Sequence, residues 1–85
     1  MNYRATKLYK EMTLYIASSI AEGFSGEENT KDEILTAWQW LVDTGNCWKL
    51  QGWYGRTASD LVSQGAIAKP KGKQLDYYGN RLNWD

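Results

Sequence analysis

A segment rich in tryptophan and glycine, residues 38–58, places the strongest constraint on how this chain can fold. It holds four of the five tryptophans and three of the eight glycines. An indole ring reaches a low free energy when its flat body is buried and its N–H is paired. Glycine lets two backbones approach closely, or lets a helix end sharply. The segment is therefore either the packing centre of a very small domain or the surface by which that domain binds another molecule.

The chain is short and has little besides its core to stabilise it. Its 85 residues predict a single domain, which buries only about 60–65% of the surface that the unfolded chain exposes. Cys47 is the only cysteine and there is no histidine, so we expect no disulfide, no zinc site and no cofactor. Charged residues and glycines interrupt the apolar runs, and the N-terminus lacks the apolar core of a signal peptide. We therefore expect a cytoplasmic protein with no membrane partner.

Two helices are predicted in the first half of the chain. The first covers about residues 3–22 and ends at Gly23. The second covers about residues 31–44 and begins with a capping box, in which the side chains of Thr30 and Glu33 each accept a hydrogen bond from the backbone of the other. Apolar residues at three- and four-residue steps predict the core-facing sides: Ala5, Leu8, Tyr9, Met12, Ile16 and Ile20 in the first helix, and Ile34, Trp38, Leu41, Val42 and Gly45 in the second.

A third helix is predicted over about residues 48–64, with Gly65 as its stop. Gly52 and Gly55 lie in its first turns, where each costs about 1 kcal/mol relative to alanine. We expect close contact with another backbone, or an aromatic ring lying across the gap, to offset that cost. The tail, residues 66–85, has no clear period. The predicted fold is all-α: a compact three-helix domain with an irregular C-terminal strap.

The charged residues are sorted along the chain although the net charge is zero. A neutral total argues against strong non-specific binding of nucleic acid, because such binding requires several phosphates to be neutralised. Solvated faces of alternating sign are the simpler interpretation. A local basic patch for DNA or RNA remains an alternative if the two ends of the chain meet, and it would consist of Arg4, Lys7, Lys10, Lys69, Lys71 and Lys73.

The sequence contains few of the residue combinations that catalysis usually requires. Without histidine, the usual general base near neutral pH is missing. Cys47 therefore lacks an activating partner, and a single cysteine of this kind is more often a small buried apolar group. The two glycines around Trp53 and Tyr54 do not form a phosphate-binding loop, because no strand precedes them and no lysine follows. We expect a protein that is not an enzyme.

Binding is better supported, because tryptophan, tyrosine and arginine most often carry interface energy. Trp53 and Arg56 share a face of the third helix, whereas Tyr54 turns toward the core stripe. Trp40 lies about 200° around the helix from Trp38 and should face away from the core. The alternatives are a small aromatic core or a homodimer that covers the aromatic surface. The predicted partner-binding residues are Trp40, Trp48, Gln51, Trp53 and Arg56.

Residues 38–62 carry a resemblance to a known group of proteins. Trp-Gln-Trp-Leu-Val-Asp-Thr-Gly, then Trp-Lys-Leu-Gln-Gly-Trp-Tyr-Gly-Arg-Thr-Ala, then Leu-Val, resembles a family of small, uncharacterised proteins encoded by tailed bacteriophages. The resemblance implies a phage product that acts in the cytoplasm of the infected bacterium, and it supplies no catalytic residues. Small phage accessory proteins mostly act by binding: they block a host enzyme or defence complex, or they assist phage assembly.

Three functional hypotheses follow from these observations. The first is a non-enzymatic phage protein that binds and modulates or inhibits a host protein complex, with a role in defence evasion as one form. The second is a small accessory protein that binds DNA or RNA. A DNA-reading helix-turn-helix is disfavoured, because large indoles and a glycine would stand where base-reading polar side chains are usual. The third is a component of phage assembly or of the virion.

Overall fold

The computed structural model describes residues 2–23, 29–50 and 52–70. Within these ranges all regular secondary structure is helical, and the predicted all-α class is confirmed. We number the α-helices α1 to α4 and refer to the two 3-10 helices by position. In chain order the elements are the first 3-10 helix Tyr3–Ala5, α1 Lys7–Lys10, α2 Leu14–Glu22, α3 Lys31–Asp43, the second 3-10 helix Asn46–Trp48, and α4 Gly52–Ser63.

The predicted first helix, residues 3–22, is wrong as a continuous helix. The segment forms three pieces because two threonine side chains cap new helices inside it. The Thr6 hydroxyl accepts a hydrogen bond from the backbone N–H of Tyr9 at 3.1 Å, and the Thr13 hydroxyl accepts one from that of Ile16 at 3.2 Å. Both threonines have extended backbone angles, which are usual before a helix and incompatible with its interior.

The apolar stripe predicted for this segment is only partly buried. Met12 and Ile20 are buried, as predicted, but Ala5 is exposed. Ala17, on α2, is fully buried and was not in the predicted stripe. Because the extended backbone of Thr13 interrupts the helix between α1 and α2, one helical period does not hold across the break.

Helix α3 begins at the predicted capping box. The Thr30 N–H donates to the Glu33 carboxylate at 2.8 Å, and the Glu33 N–H donates to the Thr30 hydroxyl at 3.1 Å. Asp32 and Glu33 lie in the first turn, where negative charge favours the positive end of the helix dipole. The chain divides into two units, Met1–Leu41 and Val42–Asp85, with the boundary near the C-terminal end of α3. The packing of three helices into one domain stays a prediction.

The middle of helix α3 is buried on more than one stripe. Residues 35–39 are all buried, and five successive residues at 100° each complete more than one turn. Ile34, predicted in the core, is instead 36% exposed, and Leu35 takes the buried position. The buried hydroxyl of Thr36 donates to the backbone oxygen of Asp32 at 2.6 Å, which satisfies it within the helix. A helix segment with buried residues at every step of a turn is typical of a core element.

The second unit begins with a sharp stop and a short 3-10 turn. Gly45 has φ 75°, a left-handed conformation that favours glycine, and it ends α3 as predicted. The second 3-10 helix follows, so the predicted start of the third helix at residue 48 is wrong and α4 begins at Gly52. In a continuous helix Trp48 would lie about 10 Å along the axis from Gly55. The separate turn instead allows the two residues to touch.

Helix α4 ends in a Schellman motif. Gly65, also left-handed, donates its N–H to the oxygen of Val62, and Ala66 donates to that of Leu61, both at 3.0 Å. These two bonds satisfy carbonyls that the end of a helix leaves without partners. Residues 66–70 continue without regular structure, in agreement with the predicted irregular tail. The rest of that tail, residues 71–85, lies outside the described residues.

Candidate functional site

Trp48 and Gly55 form a close contact that fixes the beginning of α4. A Cβ atom placed on Gly55 would lie 2.5 Å from Cζ3 and 2.8 Å from Cε3 of the Trp48 indole. Both distances are shorter than real carbon contacts allow, so only glycine leaves room for the ring. An aromatic ring lying across the gap was one of the two contacts predicted to offset the low helix propensity of glycine, and at Gly55 it is confirmed. Trp48, one of the predicted partner-binding residues, is therefore also a structural residue that holds the 3-10 turn on α4.

Trp53 and Tyr54 are stacked although they are neighbours in sequence. Their ring centroids are 4.1 Å apart and the ring planes are inclined by 30°. Tyr54 is 2% exposed, whereas Trp53 keeps part of its surface accessible. The buried tyrosine is therefore a fixed platform against which the accessible indole is held. An aromatic side chain held in this way loses little conformational entropy on binding.

Arg56 stands one helical turn after Trp53 and is exposed. Its guanidinium lies back over the first turn of α4: a Cβ atom on Gly52 would be 3.6 Å from Arg56 Nη1, an ordinary contact distance. Side chains on a helix point toward its N-terminus, and the arrangement follows that rule. Trp53 and Arg56 therefore form one accessible surface on α4, which we call the α4 face and define by these two residues.

The other predicted partner-binding residues have different positions. Trp40 is partly exposed, whereas every other residue from 35 to 42 is buried. It therefore faces away from the core, as its offset from Trp38 predicts, and Trp38 itself is buried. Trp40 belongs to the first unit and the α4 face to the second. Gln51 lies outside the described residues.

The residues of the alternative basic patch are only partly described. Lys7 and Lys10 are exposed on the short helix α1, and Arg4 is half-buried in the first unit. Lys69 is exposed in the second unit. The other two predicted members, Lys71 and Lys73, lie outside the described residues. A patch formed from both ends of the chain therefore stays a prediction.

The thiol of Cys47 is unsuited to nucleophilic chemistry. Its side chain is 1% exposed, and burial raises its pKa from 9.0 to about 12, partly opposed by a hydrogen bond to the backbone. The thiolate is the reactive form of cysteine, and it is nearly absent near neutral pH at such a pKa. The side chain therefore fills space in the second unit, as its position predicts. The absence of enzymatic activity stays a prediction.

Sequence reasoning missed two features of the surface and the core. Gln39 is 2% exposed, in the fully buried stretch of α3. Tyr15 is 81% exposed and Leu14 beside it is 42% exposed, both at the start of α2. A helix cap at Thr13 is the signal that could have placed these two in a first turn. No pattern predicts the burial of a glutamine between two tryptophans.

Comparison with known proteins places the chain in a family. A family model described as a domain of unknown function (DUF7417) matches residues 16–83, which is most of the chain. The chain belongs to the DUF7417 family. The match contains most of α2, all of α3 and α4, and the residues of the α4 face. No curated protein and no solved structure gives a significant match. No helix among the described residues has the length and apolar character needed to span a membrane.

Proposed function

We propose that the protein acts by binding another protein through the α4 face, without catalysing a reaction. The observation that carries the proposal is the accessible Trp53 ring, stacked on the buried Tyr54 and followed one turn later by the exposed Arg56. Tryptophan and arginine are enriched among the residues that contribute most to binding free energy. Both side chains stand on a helix whose first turns are fixed by the contact between Trp48 and Gly55.

The resemblance of residues 38–62 to small proteins of tailed bacteriophages suggests the biological setting. In this proposal the protein is phage-encoded, works in the cytoplasm of the infected bacterium, and modulates or inhibits a host protein complex, such as one used in defence. A small protein that blocks such a complex needs an accessible binding surface and no catalytic group. The α4 face supplies a surface of that kind, and Trp40 is a further candidate contact.

The test is capture of a partner followed by measurement with purified components. Tagged protein is expressed in phage-infected bacteria, captured proteins are identified by mass spectrometry, and the leading partner is purified. Its dissociation constant is then measured with the wild type, Arg56→Ala and Lys10→Ala. Lys10→Ala is the matched control, since it also removes one exposed cation but lies on α1.

We expect Arg56→Ala to weaken binding by at least about tenfold, which corresponds to about 1.4 kcal/mol, with an unchanged melting temperature. Lys10→Ala should bind as the wild type does. Equal affinities of wild type and Arg56→Ala would contradict a role for the α4 face. Parallel loss of fold and binding would show that Arg56 acts through the fold, and it would contradict a direct contact with the partner. Trp40→Ala, measured in the same way, tests whether Trp40 belongs to the interface.

The exposed Lys7 and Lys10 favour nucleic-acid binding as a second candidate. Helix α1 carries both lysines and no acidic residue, so its charge is uncompensated within the helix. If the protein binds DNA or RNA through them, affinity should fall steeply between low and moderate salt, and it should fall in Lys7→Ala/Lys10→Ala. Binding without that salt dependence would exclude this candidate. Detection of the protein in purified phage particles would favour a virion component instead.

A further inference from the structure

The charged residues in the first turns of α4, and in the segment just before it, are cationic. Between residues 44 and 59 the sequence contains two charged residues, Lys49 and Arg56, and both are cationic. Both are exposed, and the first turn of α4 contains no acidic residue. The acid of α4, Asp60, follows one turn after Arg56 and is exposed. The accessible ring of Trp53 lies on the N-terminal half of the helix, which is cationic. Such a surface attracts an anionic partner and repels a cationic one.

The guanidinium of Arg56 is not engaged by the nearest acid of its own helix. Asp60 follows four residues later, at a spacing that often allows an ion pair. Arg56 instead lies over Gly52, toward the N-terminal end of the helix, and it takes part in no ion pair among the described residues. Its planar fork of N–H donors is therefore available to an acceptor from outside. Carboxylates fit that fork through two parallel hydrogen bonds.

Resting on the proposed function, we propose that the α4 face recognises an acidic protein segment in which an aspartate or glutamate stands beside an aromatic or aliphatic side chain. The carboxylate binds Arg56, and the apolar side chain packs against the indole of Trp53. Lys49 adds long-range attraction to the same segment. A carboxylate is favoured over nucleic-acid phosphates because two cations neutralise too few phosphates for firm binding.

The probe for this proposal is a library of short random peptides displayed on a carrier and selected on immobilised full-length protein. A parallel selection on Arg56→Ala is the control. We expect the wild type to enrich peptides in which aspartate or glutamate adjoins tryptophan, phenylalanine or leucine, and the variant to lose this enrichment. Selection of peptides without acidic residues, or the same acidic peptides on both proteins, would overturn the proposal, as would the absence of any enriched peptide.

An enriched peptide then allows a direct measurement with matched changes on both sides. Replacing its acidic residues with the uncharged amides should weaken binding by about tenfold or more. Arg56→Ala should weaken it by a similar factor, and Arg56→Lys should restore only part of the loss because lysine lacks the planar fork. Asp60→Asn should bind as well as the wild type or better. Equal affinity of the acidic and amide peptides contradicts the proposal, and so does tighter, Arg56-dependent binding of a single-stranded oligonucleotide.

The peptide experiments can fail independently of the capture experiment that tests the proposed function. A cellular partner whose capture requires Arg56, together with selected peptides that lack acidic residues, would retain the proposed function and overturn the inference. Acidic peptides that require Arg56, without any cellular protein that does, would retain the chemistry of the surface and contradict the proposed role in the cell.

Discussion

The absence of a side chain at Gly55 allows the Trp48 indole to pack against α4. A methyl group there would overlap the indole of Trp48, since the built Cβ lies 2.5 Å from Cζ3. We expect Gly55→Ala to lower the free energy of unfolding by about 2 kcal/mol, because overpacking outweighs the better helix propensity of alanine. Urea denaturation monitored by circular dichroism measures the change.

Gly52 supplies the matched control for that substitution. It lies three residues earlier in the same helix, and among the described residues its built Cβ would meet the guanidinium of Arg56 alone, at an ordinary 3.6 Å. Gly52→Ala should leave stability unchanged or raise it by up to about 1 kcal/mol. The double variant Trp48→Ala/Gly55→Ala should be less destabilised than the sum of the single variants, because the clash needs both. A Gly55→Ala protein as stable as Gly52→Ala would contradict the contact.

The buried thiol of Cys47 should make the free energy of unfolding depend on pH in the alkaline range. Burial raises the pKa of its thiol to about 12, against 9.0 ordinarily, so above about pH 9 the unfolded chain loses this proton before the folded protein does. The contribution of the protonated thiol to the free energy of unfolding is fully present below about pH 9. It is lost as pH rises from there, by at most about 1.4 kcal/mol per pH unit. Urea midpoints of the wild type and Cys47→Ala over this range measure the difference. Parallel pH profiles would contradict it, since the two proteins differ only at Cys47.

Among the helices, a start or an end was predictable where one short sequence signal specifies it. Thr30 with Glu33 predicted the start of α3, and Gly45 and Gly65 predicted the ends of two helices, because these signals act within a few residues. The break between α1 and α2 was missed because the apolar period continues through it. Thr6 and Thr13 cap those helices without a glutamate or glutamine three residues later, so the stronger capping-box signal was absent. The start of α4 depends on the contact between Trp48 and Gly55, which are seven residues apart. The periodicity of apolar residues does not predict such a contact.

The capping box of α3 should contribute measurably to stability. Thr30→Ala removes the acceptor for the Glu33 N–H, at present 3.1 Å away, and should cost about 1 kcal/mol. Glu33→Ala removes the reciprocal acceptor, and with it a favourable charge near the helix N-terminus. Ser63→Ala, an exposed change at the end of α4, is the control and should have little effect. A urea midpoint of Thr30→Ala equal to that of the wild type would show that the cap contributes nothing.

For the molecule as a whole, composition predicted which residue types are accessible at the candidate site, but not the geometry of that site. The excess of tryptophan beside arginine indicates a binding surface, and the position of Arg56 on the surface follows from helical spacing. The stacking of Trp53 on Tyr54 did not follow, because neighbours on a helix point about 100° apart and only their side-chain torsions bring the rings together. The direction of the Arg56 guanidinium, toward Gly52 and away from Asp60, is likewise a choice of rotamer that the sequence leaves open.

The small size of the chain makes its stability a sensitive report of binding. A protein of 85 residues has a modest free energy of unfolding, so a partner that binds only the folded state raises it by a large fraction. At a partner concentration of about 100 times the dissociation constant the gain is about 2.7 kcal/mol, which corresponds to a rise in melting temperature of roughly 10–20 °C. Differential scanning fluorimetry with the purified partner measures this shift.

Arg56→Ala separates binding from folding in that measurement. Because Arg56 is exposed and makes no ion pair among the described residues, the variant alone should melt as the wild type does. At the same partner concentration, a tenfold weaker affinity should reduce the stabilisation of this variant by the partner from about 2.7 to about 1.4 kcal/mol. Lys10→Ala should show the full shift. A partner that stabilises Arg56→Ala as strongly as the wild type binds elsewhere on the protein, and the α4 face would then have no part in its recognition.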